Sequence, residues 1–396
     1  MKILHRAPLV VPVISPPIEN GAVLVENGVI VAVDRFAVLA GTAAVRDHEG
    51  SILIPALVNC HTHLELSHLG GLGREQRAGE DITDWISRLL AQREASGVDP
   101  LVAGRRQLAA FHAQGVACLA DIGNLPASRD IGQGAALKVF FFLEMLGLGH
   151  DAAEHVMGRL AEIDCDCTAH APYSVHPRLL RKLKERSLRR GHLFPIHVAE
   201  SETEIVFLRD GRGPLRDFVR QRGVWDGSFQ TPGCGAATYL DRLGVMDERT
   251  LCVHAVHLTD EEIALLASRH AKVCLCPVSN RFLGVGKAPV ARMLAAGLLP
   301  ALGTDSPASN PLMSMWEEMR LLCEDHPGID PADVFRMATM GGARALGLDT
   351  GGTLCPGSRV PFLAVQGRGV SGADVYEFLT GVGNSARVGW VGEERG

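Results

Sequence analysis

The sequence predicts an α/β protein: a (β/α)₈ TIM barrel carrying a small β-sandwich built from both ends of the chain. Three observations point there. Between about residues 55 and 345, short apolar runs alternate with helix-length amphipathic segments. Nearly every apolar run ends in a polar residue, and barrel active sites are built at those strand ends. The two ends of the 396-residue chain have a different texture, rich in short β segments. The alternation alone also admits a doubly wound open sheet; the polar strand ends are what favour the barrel.

In chain order, the first signal is Val23-Leu24-Val25-Glu26-Asn27-Gly28-Val29-Ile30-Val31. Asn-Gly between two Val-rich runs marks a hairpin, because both turn residues must take positive φ. The far end repeats this texture in Gly351-Gly352-Thr353-Leu354 and Val360-Pro361-Phe362-Leu363-Ala364-Val365. Residues 1–54 and 346–396 are therefore expected to form one composite sandwich, and 55–345 the barrel. Barrel strands are expected at 54–59, 116–122, 137–143, 168–171, 194–198, 250–254, 272–276 and 299–303. Helices are expected at 82–94, 101–114, 177–190, 202–210, 260–269 and 290–296.

Composition narrows the class. Apolar residues make up 46% and charged residues 21%, which describes a globular chain, not a disordered one. The formal net charge of −6 and the lack of a long Lys/Arg run speak against a nucleic-acid surface. No apolar run approaches the roughly 18 residues of a membrane span. The Leu9-Val10-Val11-Pro12-Val13-Ile14 stretch is too short and proline-broken for a signal peptide. A cytoplasmic protein is expected. Ten cysteines are too sparse for a disulfide framework. Cys165, Cys167, Cys274 and Cys276 lie in strand-like runs and read as small buried side chains. His63-Leu64-Glu65 begins the His-x-Glu zinc-deaminase signature, but no Pro-Cys-x-x-Cys completes it.

Chemistry gathers at four strand ends. The first strand runs into His61-Thr62-His63, two imidazoles one residue apart and hence on one face. The fifth ends in His197-Val198-Ala199-Glu200, the sixth in His254-Ala255-Val256-His257, the eighth in Gly303-Thr304-Asp305-Ser306. Imidazoles with a carboxylate suit Zn²⁺, and His61, His63, His197 and Asp305 would leave one position open for water. Ligation lowers the pKa of such a water and generates a hydroxide nucleophile. Glu200, three residues past His197, can serve as general acid/base, and His254 can polarise the water or stabilise developing charge. His5, His48, His112, His150, His155, His192, His270 and His326 fit no such pattern and read as surface or core residues.

Together with His170-Ala171-Pro172-Tyr173, Cys276-Pro277-Val278-Ser279-Asn280 and Ser306-Pro307-Ala308-Ser309-Asn310, these stretches resemble the amidohydrolase superfamily. The likeness is to the branch containing cytosine, guanine and S-adenosylhomocysteine deaminases and the triazine chlorohydrolases. It implies one divalent metal, Zn²⁺ or in some relatives Fe²⁺, on His61, His63, His197 and Asp305. It also implies Glu200 as proton shuttle, His254 orienting water or substrate, and Asp305 accepting a proton. Dinuclear relatives carry a bridging lysine at the end of the fourth strand; here that strand runs Thr168-Ala169-His170-Ala171-Pro172. A mononuclear deaminase follows from the resemblance. Such relatives are often homodimers, which leaves a homodimer open here.

Substrate choice is expected from Glu65, Ser67, Trp85, Glu144, His170, Asn280 and Ser309, which lie near the metal positions in the predicted topology. The His63-Leu64-Glu65-Leu66-Ser67 variant resembles a subgroup that includes aminodeoxyfutalosine deaminases of menaquinone biosynthesis. Adenosine, methylthioadenosine or S-adenosylhomocysteine is the next substrate class, then guanine or a chlorotriazine. A metal-bound scaffold without catalysis is the reading outside enzymology; it leaves Glu200 and His254 without a purpose.

Overall fold

The computed structural model describes residues 1–75, 80–348 and 350–392. Its first five strands are β1 (Lys2–Val10), β2 (Ile18–Glu26), β3 (Val29–Arg35), β4 (Ala44–Asp47) and β5 (Ser51–Ile54). The Asn27-Gly28 hairpin forms between β2 and β3, with φ of 50° and 77° at the two turn residues. From the other end, β14 (Phe362–Gln366) and β15 (Val388–Val391) join the same sheet, in the order β15-β14-β5-β1-β2-β3 with β4 also on β1. The two ends do meet. Together they build one seven-stranded sheet.

Between them lie two four-stranded parallel sheets. One is β6 (Leu57–Thr62), β7 (Val116–Gly123), β8 (Lys138–Met145) and β9 (Cys167–Ala169). The other is β10 (Phe194–Val198), β11 (Thr250–His254), β12 (Lys272–Leu275) and β13 (Ala301–Leu302). With helices between successive strands, this is a TIM-barrel-like α/β fold. Backbone contacts cross both seams. The His197 N–H donates to the His170 carbonyl (3.0 Å), and Thr62 forms a parallel bridge with Asp305.

The expected first strand, 54–59, divides in two. Ile54 closes β5 in the terminal sheet and Leu57 opens β6, because Pro55 has no N–H to continue a ladder. The eighth strand shrinks from 299–303 to Ala301–Leu302. Helices fall close to expectation, each with a local cause. Asp81 and Asp99 cap Ile82–Ala95 and Pro100–Ala113 through side-chain bonds to Thr83 and Leu101 N–H. Gly191, at φ 74°, ends Pro177–Arg190.

Packing follows the strand period of two. Leu251 and Val253 belong to one apolar cluster and Cys252 to another, which also holds Phe111, Phe194, Phe207 and Trp316. Cys167, Cys274 and Cys276 are buried as expected, whereas Cys165 is partly exposed. β13 must approach β6 closely: a Cβ on Gly303 would lie 2.8 Å from the Cβ of His61 and from Cys274 Sγ. No described helix is long and apolar enough to cross a membrane.

Candidate active site

The ends of β6, β10 and β13 converge. One ligand atom each from His61, His63 and His197 lies within 4.8 Å of the others. The Nε2 atoms of His61 and His197 are 3.3 Å apart, and Asp305 Oδ1 is 3.6 Å from His61 Nε2 and 3.5 Å from His63 Nε2. Two of the rings commit their protons elsewhere. His63 Nδ1 donates to the Ile122 carbonyl (2.9 Å) and His197 Nδ1 to the His170 carbonyl (2.8 Å). Their Nε2 lone pairs therefore face the cluster, as in metal-ligating histidines held by a carbonyl behind them. Asp305 is aimed in the same way: Oδ2 accepts from Ser279 Oγ (2.6 Å) and Ser309 Oγ (2.8 Å), which leaves Oδ1 toward the rings.

Electrostatics agree with a cation at this point. Burial pushes His61 down to about 3 and His197 well below the ordinary imidazole range, so both are neutral ligands near pH 7. His63 behaves differently: burial lowers it, but the carboxylates of Asp305, Glu144, Asp121 and Glu65 outweigh burial and raise it. A cation bound here would compete with that proton. Burial works against the Asp305 carboxylate too, yet the bond to His61 and the charges of His63 and His254 hold it well below the usual range. Imidazole nitrogens and one carboxylate oxygen, converging in a buried site, fit a divalent ion of the zinc type.

Two further groups flank this cradle. Glu200 Oε1 lies 3.6 Å from His254 Nε2, and His254 Nδ1 donates to Asn280 Oδ1 at 2.9 Å. Burial raises the Glu200 carboxyl above the ordinary carboxylate range, against the opposing charge of His254. The backbone here is unusual. Ala199, His254, Ala255 and Asp305 all have positive φ (52°, 69°, 51° and 56°), a conformation non-glycine residues rarely adopt. Strained turns at three strand ends turn three functional side chains toward one point.

A cavity of about 710 Å³ opens above the cradle, lined by His63, His197, Glu200, His254 and Asp305. Helix Ile82–Ala95 supplies an apolar wall through Trp85, Ile86 and Leu89, faced by Phe218 and Val219. Of the seven residues expected to contact substrate, Trp85, Glu144 and His170 line this space. Glu144 Oε2 accepts from Asn124 Nδ2 (2.8 Å), while its buried Oε1 has no hydrogen-bond partner. His170 Nδ1 is paired with Ser174 Oγ at 2.7 Å.

The other four lie outside it. Residues Leu64–Leu69 form a short 3₁₀ helix that turns Glu65 away from the cavity. Its carboxylate meets Arg93 Nη2 (2.7 Å), Ser128 Oγ (2.7 Å) and Leu125 N–H (3.0 Å). Ser67 Oγ is buried without a partner. Asn280 and Ser309 sit behind the site and orient His254 and Asp305. Three residues at the site were not expected from sequence. Ser279 shares the carboxylate clamp with Ser309, and its place beside Asn280 in the strand-seven motif was the available signal. Arg93 and Asn124 line the cavity and bond to each other (3.1 Å); nothing in their sequence surroundings marks them.

Comparison with known proteins bears on this geometry. Residues 52–382 match the model of the amidohydrolase family. A 5′-deoxyadenosine deaminase of Methanothermobacter thermautotrophicus is 29% identical over 380 residues, covering 89% of this chain and 82% of that protein. An aminodeoxyfutalosine deaminase of Deinococcus radiodurans is 31% identical over 340 residues, covering 81% and 77%. Among solved structures, a zinc-bound adenosine deaminase of Xanthomonas campestris superimposes with a TM-score of 0.75 at 26% identity, covering 92% of this chain and 84% of that one.

Proposed function

The chain belongs to the amidohydrolase family, a hydrolase acting on C–N bonds, and from that premise we propose that it is a metal-dependent deaminase of aminopurine nucleosides. Within that class our reading names 6-aminodeoxyfutalosine as substrate. Adenosine, methylthioadenosine and S-adenosylhomocysteine come next, since the first two relatives act on an adenosine-type nucleoside and on aminodeoxyfutalosine at nearly equal identity. The observation that carries the reading is the facing of His61, His63, His197 and Asp305 with Glu200 and His254 across one cavity. A metal scaffold needs only the first set.

His61, His63, His197 and Asp305 would hold one divalent ion, which the family implies; zinc is our assignment, ahead of iron. When bound, it supplies Lewis acidity and lowers the pKa of water at the site. The chain does the rest. The purine enters between the apolar wall of Trp85, Ile86 and Leu89 and the polar floor. Glu200, its carboxyl raised by burial, delivers a proton to the ring nitrogen beside C6 as the oxygen of water adds to that carbon and one water proton passes to Asp305. His254, its ring fixed by Asn280, faces the developing charge. Asp305 passes its proton to the amino group and the C6 hydroxyl returns its own to Glu200, so the amino group leaves as ammonia and Glu200 is restored. The C6–N bond breaks and the purine is left with a carbonyl. Glu144 and His170 are placed to take ring or ribose polar atoms, since both line the cavity and Glu144 Oε1, 3.6 Å from His197 Nδ1, accepts no hydrogen bond.

The same reading takes residues 1–54 with 346–396 as one composite domain and 55–345 as the barrel. The seam contacts His197–His170 and Thr62–Asp305 support joining the two four-stranded sheets into eight. The pairing of β1 with both β4 and β5 supports a terminal sheet folded over as a sandwich. Ten unpaired cysteines support a cytoplasmic setting.

The test is metal analysis with ammonia release measured as kcat/KM across 6-aminodeoxyfutalosine, 5′-deoxyadenosine, adenosine, methylthioadenosine, S-adenosylhomocysteine and guanine. Turnover of the nucleosides is expected, highest for 6-aminodeoxyfutalosine. Activity confined to guanine, or bound metal with no turnover, would overturn the nucleoside reading.

A further inference from the structure

Directly behind Glu200 lies a second buried carboxylate, Glu204, which touches neither cavity nor cradle. It is fully buried in the first turn of helix Glu202–Asp210. Ser201 caps that helix, its Oγ accepting from the Glu204 N–H at 3.3 Å. In the usual reciprocal cap the glutamate at this position would return its carboxylate to the capping residue's own N–H. Helix Asp260–Ser268 does so: Thr259 Oγ1 accepts from Glu262 N–H and Glu262 Oε2 accepts from Thr259 N–H. Glu204 reaches further back. Its Oε1 accepts from the Ala199 N–H (3.0 Å) and its Oε2 from the Glu200 N–H (2.8 Å).

Those two N–H groups bracket the left-handed Ala199, φ 52°. The Ala199 carbonyl is held too, accepting from Val256 N–H (3.0 Å) and His257 N–H (2.9 Å) of the turn that carries His254. Left without acceptors, these two buried N–H groups would add their desolvation cost to the strain of the left-handed alanine. The backbone would then relax and carry the Glu200 side chain with it.

We propose that Glu204 is a positioning residue for Glu200: its carboxylate grips two consecutive backbone N–H groups, locks the Ala199 turn and fixes where the Glu200 carboxyl sits against His254 and the metal cradle. This deepens the deaminase reading and rests on it where Glu200 moves a proton. A displaced helix cap has become the alignment device of an acid/base group. Glu204→Gln is the informative change, because it keeps volume but sets an NH₂ against an N–H donor.

With 5′-deoxyadenosine as probe, Glu204→Gln should lower kcat by about 10–100-fold, the usual cost of misplacing a reacting group by about an ångström. KM should stay within about twofold and metal per chain should be unchanged. Hydrogen exchange at the Ala199 and Glu200 amides should speed up at least tenfold. Ser201→Ala, which removes only the cap, should lower Tm and leave kcat near wild type. An unchanged kcat, a loss wholly in KM, or amides still protected in Glu204→Gln would overturn the proposal. If wild-type protein turns over none of the nucleosides, the deaminase reading falls, and amide exchange still decides whether Glu204 holds the turn.

Discussion

Among the described residues, His5 with His48 in the terminal sheet and the histidines of the barrel mouth make two ring clusters that differ in kind. In the terminal sheet, His5 is 2% exposed; its Nδ1 lies 3.0 Å from His48 Nε2, the rings stack at 5.3 Å, and Phe362 packs edge-on at 5.6 Å. One of these two nitrogens donates and the other accepts. At the barrel mouth, His63 and His197 give their protons to carbonyls, and the remaining nitrogens face one another and Asp305. Burial and ring contact are common to both. What separates them is what gathers: two ring nitrogens in the terminal pair, three rings with the Asp305 carboxylate at the mouth.

The largest effect expected from that difference is at Asp305. Asp305→Ala removes the one carboxylate of the cradle together with the acceptor for Ser279 and Ser309. Bound metal measured by elemental analysis should fall to background, with kcat/KM down at least about 10³-fold. A metal-replete, active variant would break the comparison. Glu200→Gln comes next and separates chemistry from ligation. Loss of a positioned acid/base group should reduce kcat by about 10²–10⁴-fold. Metal per chain should hold at the wild-type level; an equal loss of metal would make Glu200 a ligand.

Removing the ion itself ranks third and reads stability. A ligand that binds only the folded state stabilises by RT ln(1 + [L]/Kd), about 4 kcal/mol at a thousandfold excess over Kd. Chelation should therefore lower Tm by several degrees in wild type, with recovery on adding Zn²⁺. The same shift should appear in His48→Ala, since that pair binds nothing. A Tm insensitive to chelation would remove the cation from the argument.

How much of this was legible in the chain follows from where each residue sits. His61, His63, His197, His254 and Asp305 end apolar runs, and a strand end fixes both position and general direction. Glu65, Ser67, Asn280 and Ser309 follow strands by several residues, where the path of the loop decides the facing. The 3₁₀ turn at Leu64–Leu69 sets the buried Glu65 against Arg93, a residue 28 positions away. No spacing rule carries that contact. Glu204 is an intermediate case: Ser201-Glu202-Thr203-Glu204 has the form of a reciprocal helix cap, and only coordinates show its carboxylate displaced to Ala199 and Glu200.

The smallest effect belongs to the terminal pair, and its pH dependence gives the sharpest contrast. Burial, with the charges of His48 and Arg46, lowers His5 to about 4 from an ordinary 6.5. The folded state thus disfavours protonated His5, while the unfolded chain takes up the proton at 6.5. This group's contribution is fully present above pH 6.5 and drains away as pH falls from 6.5 toward 4, at up to about 1.4 kcal/mol per pH unit. His5→Gln keeps a polar side chain without that titration, so its Tm should fall less steeply than that of wild type over this range. Its metal content and its kcat at pH 7.5 should match wild type, because His5 is satisfied by His48 and has no part in the cradle. A His5→Gln variant that loses metal would mean that the terminal sheet shapes the barrel mouth, and the two clusters would no longer be independent.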